Sequence, residues 1–214
     1  MNGTTTVAVP QAGRGAAAVL SLAALAGLTF IGIAALPYLL RMDEGQFRQY
    51  WPMRGWLLLH ISMGMVALLA GPVQIWLGLK DFYPRVHKKL GFVYMAAITL
   101  GAASAYYLSF NTSGGWVFGA ALATLATAWL VTTGLAFLAI QRHLIEQHKE
   151  WMIRSYVVTF AFVSFRILFE GLRSAGVGTL PEQLGASAWF SWSVPLLLNE
   201  AVLQGRKILR VRSD

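Results

Sequence analysis

The chain has 214 residues, 57% of them hydrophobic, only 12% charged and none cysteine, with a formal net charge of +8. A soluble domain carries about 25% charged residues, so this composition belongs to a polytopic membrane protein of the all-α class. The missing thiols exclude disulfides, thiolate metal sites, iron–sulfur clusters and thioether-linked haem. The excess of Lys and Arg sits beside apolar runs, where anionic lipid and topology account for it, so no nucleic-acid partner is expected.

Residues 1–15 are rich in Thr, Gly and Ala and read as a disordered tail. The apolar run 16–40 exceeds the length of a signal-peptide core and predicts a first membrane helix, kinked at Pro37. The polar, aromatic stretch 41–54 suits an interfacial belt, with Tyr50, Trp51 and Trp56. A second helix is expected over 55–79 despite Pro72, and a third over 88–110 after the basic loop around 80–89. The breaker cluster Asn111-Thr112-Ser113-Gly114-Gly115 separates the third from a fourth helix at 116–140. A fifth is expected at 150–173, then a Gly, Ser and Pro rich loop at 174–188. A sixth spans 189–205, broken at Pro195, and a basic tail occupies 208–214. Residues 16–207 therefore form one six-helix transmembrane bundle.

With six helices, one side of the bilayer carries 12 Lys and Arg, and the other four: Arg41, Arg48, Arg54 and Arg173. The positive-inside rule then places both termini in the cytoplasm, as for a multi-pass protein of a bacterial inner (cytoplasmic) membrane.

Three helices carry a small or polar stripe at helical spacing, and in lipid such a stripe turns inward. On the second it is His60, Gly64, Ala67, Gly71, Gln74 and Gly78. On the third it is His87, Gly91, Tyr94, Gly101 and Ala105. On the fifth it is His148, Met152, Ser155, Thr159, Phe162, Arg166 and Glu170. At 1.5 Å per residue, His60 lies roughly 30 Å from the basic face and cannot share a centre with His87 or His148.

His87 and His148 lie at one depth on two inward faces. Two imidazoles so placed can hold the iron of a b-type haem, with Gly91 and Tyr94 beneath giving room. The alternatives are polar helix ends without a ligand, or a non-haem metal on His87, His143 and His148, which the five-residue spacing of the last two disfavours. His60, Arg166 and Glu170 could form an outer polar pocket for an anionic or quinone-like headgroup, or the last two a structural ion pair. Asn199 and Glu200 either satisfy backbone freed by Pro195 or line a cavity with Gln74 opposite.

His60, Gly71-Pro72-Val73-Gln74, His87-Lys88-Lys89-Leu90-Gly91-Phe92-Val93-Tyr94, His148-Lys149-Glu150-Trp151-Met152-Ile153-Arg154-Ser155-Tyr156, Arg166 and Asn199-Glu200 resemble the YozB-like group, a domain of unknown function in predicted bacterial membrane proteins. The resemblance covers about 55–205 and implies a multi-helix bundle without a known activity. More loosely, the pattern resembles bis-histidine b-type cytochromes of the ascorbate-reducible kind. His87 and His148 match one haem pair of that kind, while His60 has no histidine partner on the fourth helix. The reading is thus a membrane electron-transfer protein with one haem b and a quinone or other redox partner. The alternative is a non-redox protein: a small-molecule or proton-coupled carrier, or an accessory subunit of a membrane complex.

Overall fold

The computed structural model describes residues 14–80 and 83–211, and among these it is all helix and connecting turn, with no strand. The expected disordered tail therefore lies almost wholly outside the described residues, as does the end of the basic C-terminal tail.

The first apolar run is helical from Arg14 to Phe30 (α1), π-helical over Ile31–Ala35, and α-helical again over Leu36–Leu40 (α2). Proline lacks an N–H, and its ring clashes with the carbonyl four residues back. The distortion expected at Pro37 accordingly falls in the turn before it, where the wider π-turn accommodates the ring. Asp43 caps a short helix, Glu44–Phe47 (α3), through Gln46 N. A 3-10 turn, Arg48–Met53, leads into Arg54–Lys80 (α4). Phe47 is fully buried against Tyr38 and Trp51, which folds this interfacial stretch over one end of the bundle.

Pro84–Phe110 (α5) and Trp116–Gln141 (α6) follow. The fifth apolar segment begins earlier than its hydropathy suggests and is two helices, Ile145–Thr159 (α7) and Ala161–Ser174 (α8), meeting at Phe160. The cause is local: Thr159 Oγ1 donates to the Ser155 carbonyl at 2.8 Å, and such back-bonding bends helices. The last helix, Leu180–Val211 (α9), absorbs most of the expected 174–188 loop and runs unbroken through Pro195. Its start is fixed by Thr179, whose N–H and hydroxyl both donate to Glu182 Oε2 at 2.7 Å. Those bonds hold the Glu182 carboxyl below its ordinary value. The cap is therefore in place above the usual carboxylate range and is lost as pH falls through the lowered value.

Five helical segments are long and apolar enough to cross a membrane, namely 15–40, 44–80, 84–110, 116–141 and 145–174. The 32-residue α9 matches them in length but is less apolar. The predicted six-helix bundle is thus a bundle of five to six spans. Helices α4, α5, α6 and α7 form the centre around Ala67, Tyr94, Ala97, Ala102, Ala126, Trp129 and Val158. Small residues dominate, as expected where lipid offers no hydrophobic drive and close approach supplies the packing. Helix α9 flanks α6 and α8, and α1 lies against α4 with large side chains such as Leu22, Leu25 and Leu28 turned outward.

Two candidate sites at opposite ends of the bundle

The inward stripes leave two cavities, separated by a cluster of hydroxyls. The outer one, named for the half that holds His60, has a volume of about 300 Å³. His60 and Arg166 line it, together with Tyr38 and Tyr50 from the interfacial end, Trp129 at its floor, and Phe30, Phe162 and Phe165. The His60 Nδ1–H donates to the Gly101 carbonyl at 3.0 Å. A carbonyl can only accept, so the tautomer is fixed and Nε2 carries the lone pair on the other edge of the ring. The His60 ring also packs on Phe162, with centroids 5.3 Å apart. Arg166 meets Glu170 at 3.5 Å, an exposed pair one helical turn apart. Glu170 does not line the cavity, so of the three residues expected to form an outer pocket, two wall it and the third only holds Arg166.

The second cavity, about 260 Å³, lies at the other end, between α4, α5, α6 and α7. Gln74, His87, His148, Lys149 and Met152 line it among aliphatic side chains. Both histidines lie inside the first turn of their helices, α5 and α7. The His148 Nδ1–H donates to the Ala136 carbonyl at 2.8 Å, which leaves Nε2 as the acceptor. The His87 ring presses its Cε1 edge onto Gly78, where an added Cβ would stand 3.3 Å away. One turn on, a Cβ at Gly91 would stand 2.8 Å from Gln74 Nε2. These two glycines let α4 and α5 approach with a polar side chain laid between them. Gln74 is 4% exposed, and its Oε1 has no hydrogen-bond partner among the described residues.

This arrangement differs from the haem pocket expected of His87 and His148. The room over Gly91 is taken by the Gln74 amide. Tyr94 is turned away into a different set of contacts. The cavity is also below the roughly 300–1,000 Å³ of clefts that take drug-sized ligands, and a porphyrin is a larger body. The residues present do not fit a haem.

Tyr94 belongs to the partition between the cavities. Its hydroxyl lies 3.0 Å from Ser155 Oγ and 2.9 Å from Thr159 Oγ1. Trp129 Nε1–H donates to Thr159 Oγ1 at 2.8 Å, and Thr133 Oγ1 is 2.8 Å from Ser155 Oγ. Thr159 spends its one proton on the Ser155 carbonyl, so it accepts from both Trp129 and Tyr94. Every member is satisfied, and such a network in low dielectric rigidifies what it joins. It ties α5, α6 and α7 together at mid-depth. Ser155 and Thr159 stand on the stripe read from the sequence, but Thr133 and Trp129 stand on α6, where no inward stripe was read.

Arg154, near the start of the fifth helix expected from the sequence, is buried in α7. It meets Glu200 Oε2 through Nε at 2.7 Å and Nη2 at 2.6 Å, and stacks over Trp151 at 4.6 Å. Glu150 adds a 3.6 Å contact to Arg154 and bonds Lys207 at 2.8 Å. Glu200 therefore neither serves backbone near Pro195 nor lines either cavity; it clamps α9 onto α7. Asn199 Nδ2 is buried without a hydrogen-bond partner among the described residues. His143 sits in a tight turn at φ 57 on the exposed surface and lines neither cavity. No cluster of three or more His, Cys, Asp or Glu suited to a metal occurs among the described residues.

A family of predicted membrane proteins, DUF2306, matches residues 57–203. That range holds His60, His87, His148 and Arg166 and leaves out α1 and the interfacial segment that complete the outer wall. The family name shown is this one, in place of the YozB-like label. No curated protein and no solved structure matches the chain.

Proposed function

Because the chain belongs to that family of predicted membrane proteins, we propose a function that starts inside the bilayer: it binds a membrane-dissolved lipid with a carbonyl or hydroxyl head, of the quinone class, in the outer cavity. The observation that carries this reading is the pairing of His60 with Arg166 on one aromatic-walled cavity. His60 Nε2 is a fixed acceptor for a ring hydroxyl, and the Arg166 guanidinium is a donor for a ring carbonyl. Phe162, Phe165 and Trp129 offer faces for a flat ring. Phe30, Ala34 and Ala35 of the first segment provide an apolar flank next to lipid for a tail. This is the non-redox alternative, a small-molecule binding or carrier protein or a subunit that supplies such a site. The electron-transfer reading is set aside because it needs a haem that the inner cavity does not fit.

Trp129 at the cavity floor supplies the test. A short-tailed quinone titrated into the purified protein in detergent should quench tryptophan fluorescence saturably. His60→Leu should raise Kd about fivefold, the equivalent of one net hydrogen bond of about 1 kcal/mol. Quenching that never saturates, or an unchanged Kd in both His60→Leu and Arg166→Gln, would overturn the proposal.

A further inference from the structure

We propose that the inner cavity binds a single soft transition-metal ion, copper(I) by preference, held by His148 and Met152 of α7 in the cavity that His87 of α5 also lines.

Three observations carry this independently of the quinone site. The first is His148. A histidine bound to a metal through one nitrogen almost always donates its other N–H to a carbonyl or carboxylate, which fixes the ring. The Nδ1–H of His148 is held in that way by the Ala136 carbonyl, so the Nε2 lone pair is ready. The second is Met152, four residues on and therefore on the same helical face, lining the same cavity. A thioether is a poor hydrogen-bond acceptor but a good ligand for soft metals. The third is Gln74. Its Oε1 is buried in the wall of this cavity with no hydrogen-bond partner among the described residues. A native interior rarely leaves such an oxygen unsatisfied, so a ligand or a water held by one should complete it.

The chemistry of the wall selects the ion. Among the described residues no carboxylate lines the cavity, whereas calcium, magnesium and manganese take oxygen ligands rich in carboxylate. Imidazole and thioether are both neutral; imidazole accepts several transition metals, and the soft thioether tips the choice to copper(I). The surrounding Ile75, Ile140 and Ile153 give an apolar wall, beside which a monovalent ion pays a smaller desolvation cost than a divalent one. Lys149 lines the rim, but its ammonium is engaged by Glu146 at 2.8 Å. The volume too small for a porphyrin is ample for an ion with one bound water.

The test uses the full chain in detergent, loaded with copper(I) under ascorbate and challenged with a copper(I) chelator of known affinity. It should retain about one copper per chain. Met152→Leu, which conserves volume, and His148→Gln should each weaken retention by about tenfold or more, while His143→Ala leaves it unchanged. X-ray absorption of the loaded protein should show a copper–sulfur distance that disappears in Met152→Leu. No retention against the chelator, equal retention in Met152→Leu and His148→Gln, or a Soret band at one haem per chain in the purified protein would overturn the proposal.

Discussion

The two cavities share a device and differ in everything around it. In each, a histidine donates its Nδ1–H to a helix carbonyl, Gly101 in the outer cavity and Ala136 in the inner, and so presents Nε2. The outer imidazole sits among aromatic rings beside a guanidinium, under a wall that α1 and the interfacial segment complete. The inner one sits among isoleucines with a thioether and an unsatisfied amide oxygen. One suits a flat ring with a polar head and the other an electron-pair acceptor. Identical tautomer control therefore says nothing about the ligand; the wall does.

The hydroxyl partition decides whether the two ends act independently. Three substitutions probe this, beginning with the largest effect. Arg154→Ala removes the clamp between α7 and α9 and leaves Glu200 without its main partner. It should cost about 3 kcal/mol of stability, seen as a lower thermal midpoint of the detergent-solubilised protein. Quinone quenching should survive below that midpoint, because Arg154 lies at the inner end. Loss of quenching while the fold persists would show that the ends are coupled.

Thr159→Val keeps shape but strands the buried Trp129 N–H and leaves the Tyr94 hydroxyl with Ser155 Oγ alone. It should cost about 2 kcal/mol, and since it sits between the sites it should disturb both of them. If it changes neither quinone quenching nor copper retention, the partition is only a seam.

Gly91→Ala is the mildest change. The added methyl meets the end of the flexible Gln74 side chain, so the stability cost should stay under about 1 kcal/mol. Displaced Gln74 should alter copper retention and leave quinone Kd as it was. An effect on the quinone site alone would reverse the assignment of the two ends.

Much of the framework was legible in the sequence. The stripe Gly64, Ala67, Gly71 and Gln74 of α4 is buried as its spacing required, and Ser155 and Thr159 of α7 likewise. Helix ends were less legible. Hydropathy placed the fifth segment at 150–173, but α7 begins at Ile145, its charged first turns held by the local pair Lys149 to Glu146 and by Lys207 of α9 to Glu150. Glu200 was misread because its partner Arg154 is 46 residues away and no local period links them.

The amino-acid sequence by itself determined that this is a helical membrane protein of the family matched over 57–203, which faces of its helices turn inward, and that His60 stands apart from His87 and His148. Those follow from composition, period and rise per residue, which are properties of one helix at a time. Only the tertiary structure decided what the inward residues face. Gly91 makes room for Gln74 instead of a porphyrin, Tyr94 joins Ser155 and Thr159, and Glu170 stays off the wall that His60 and Arg166 share. Each of these depends on how far apart two helices stand and how they are rotated, and the repeat along a single helix carries no information about either.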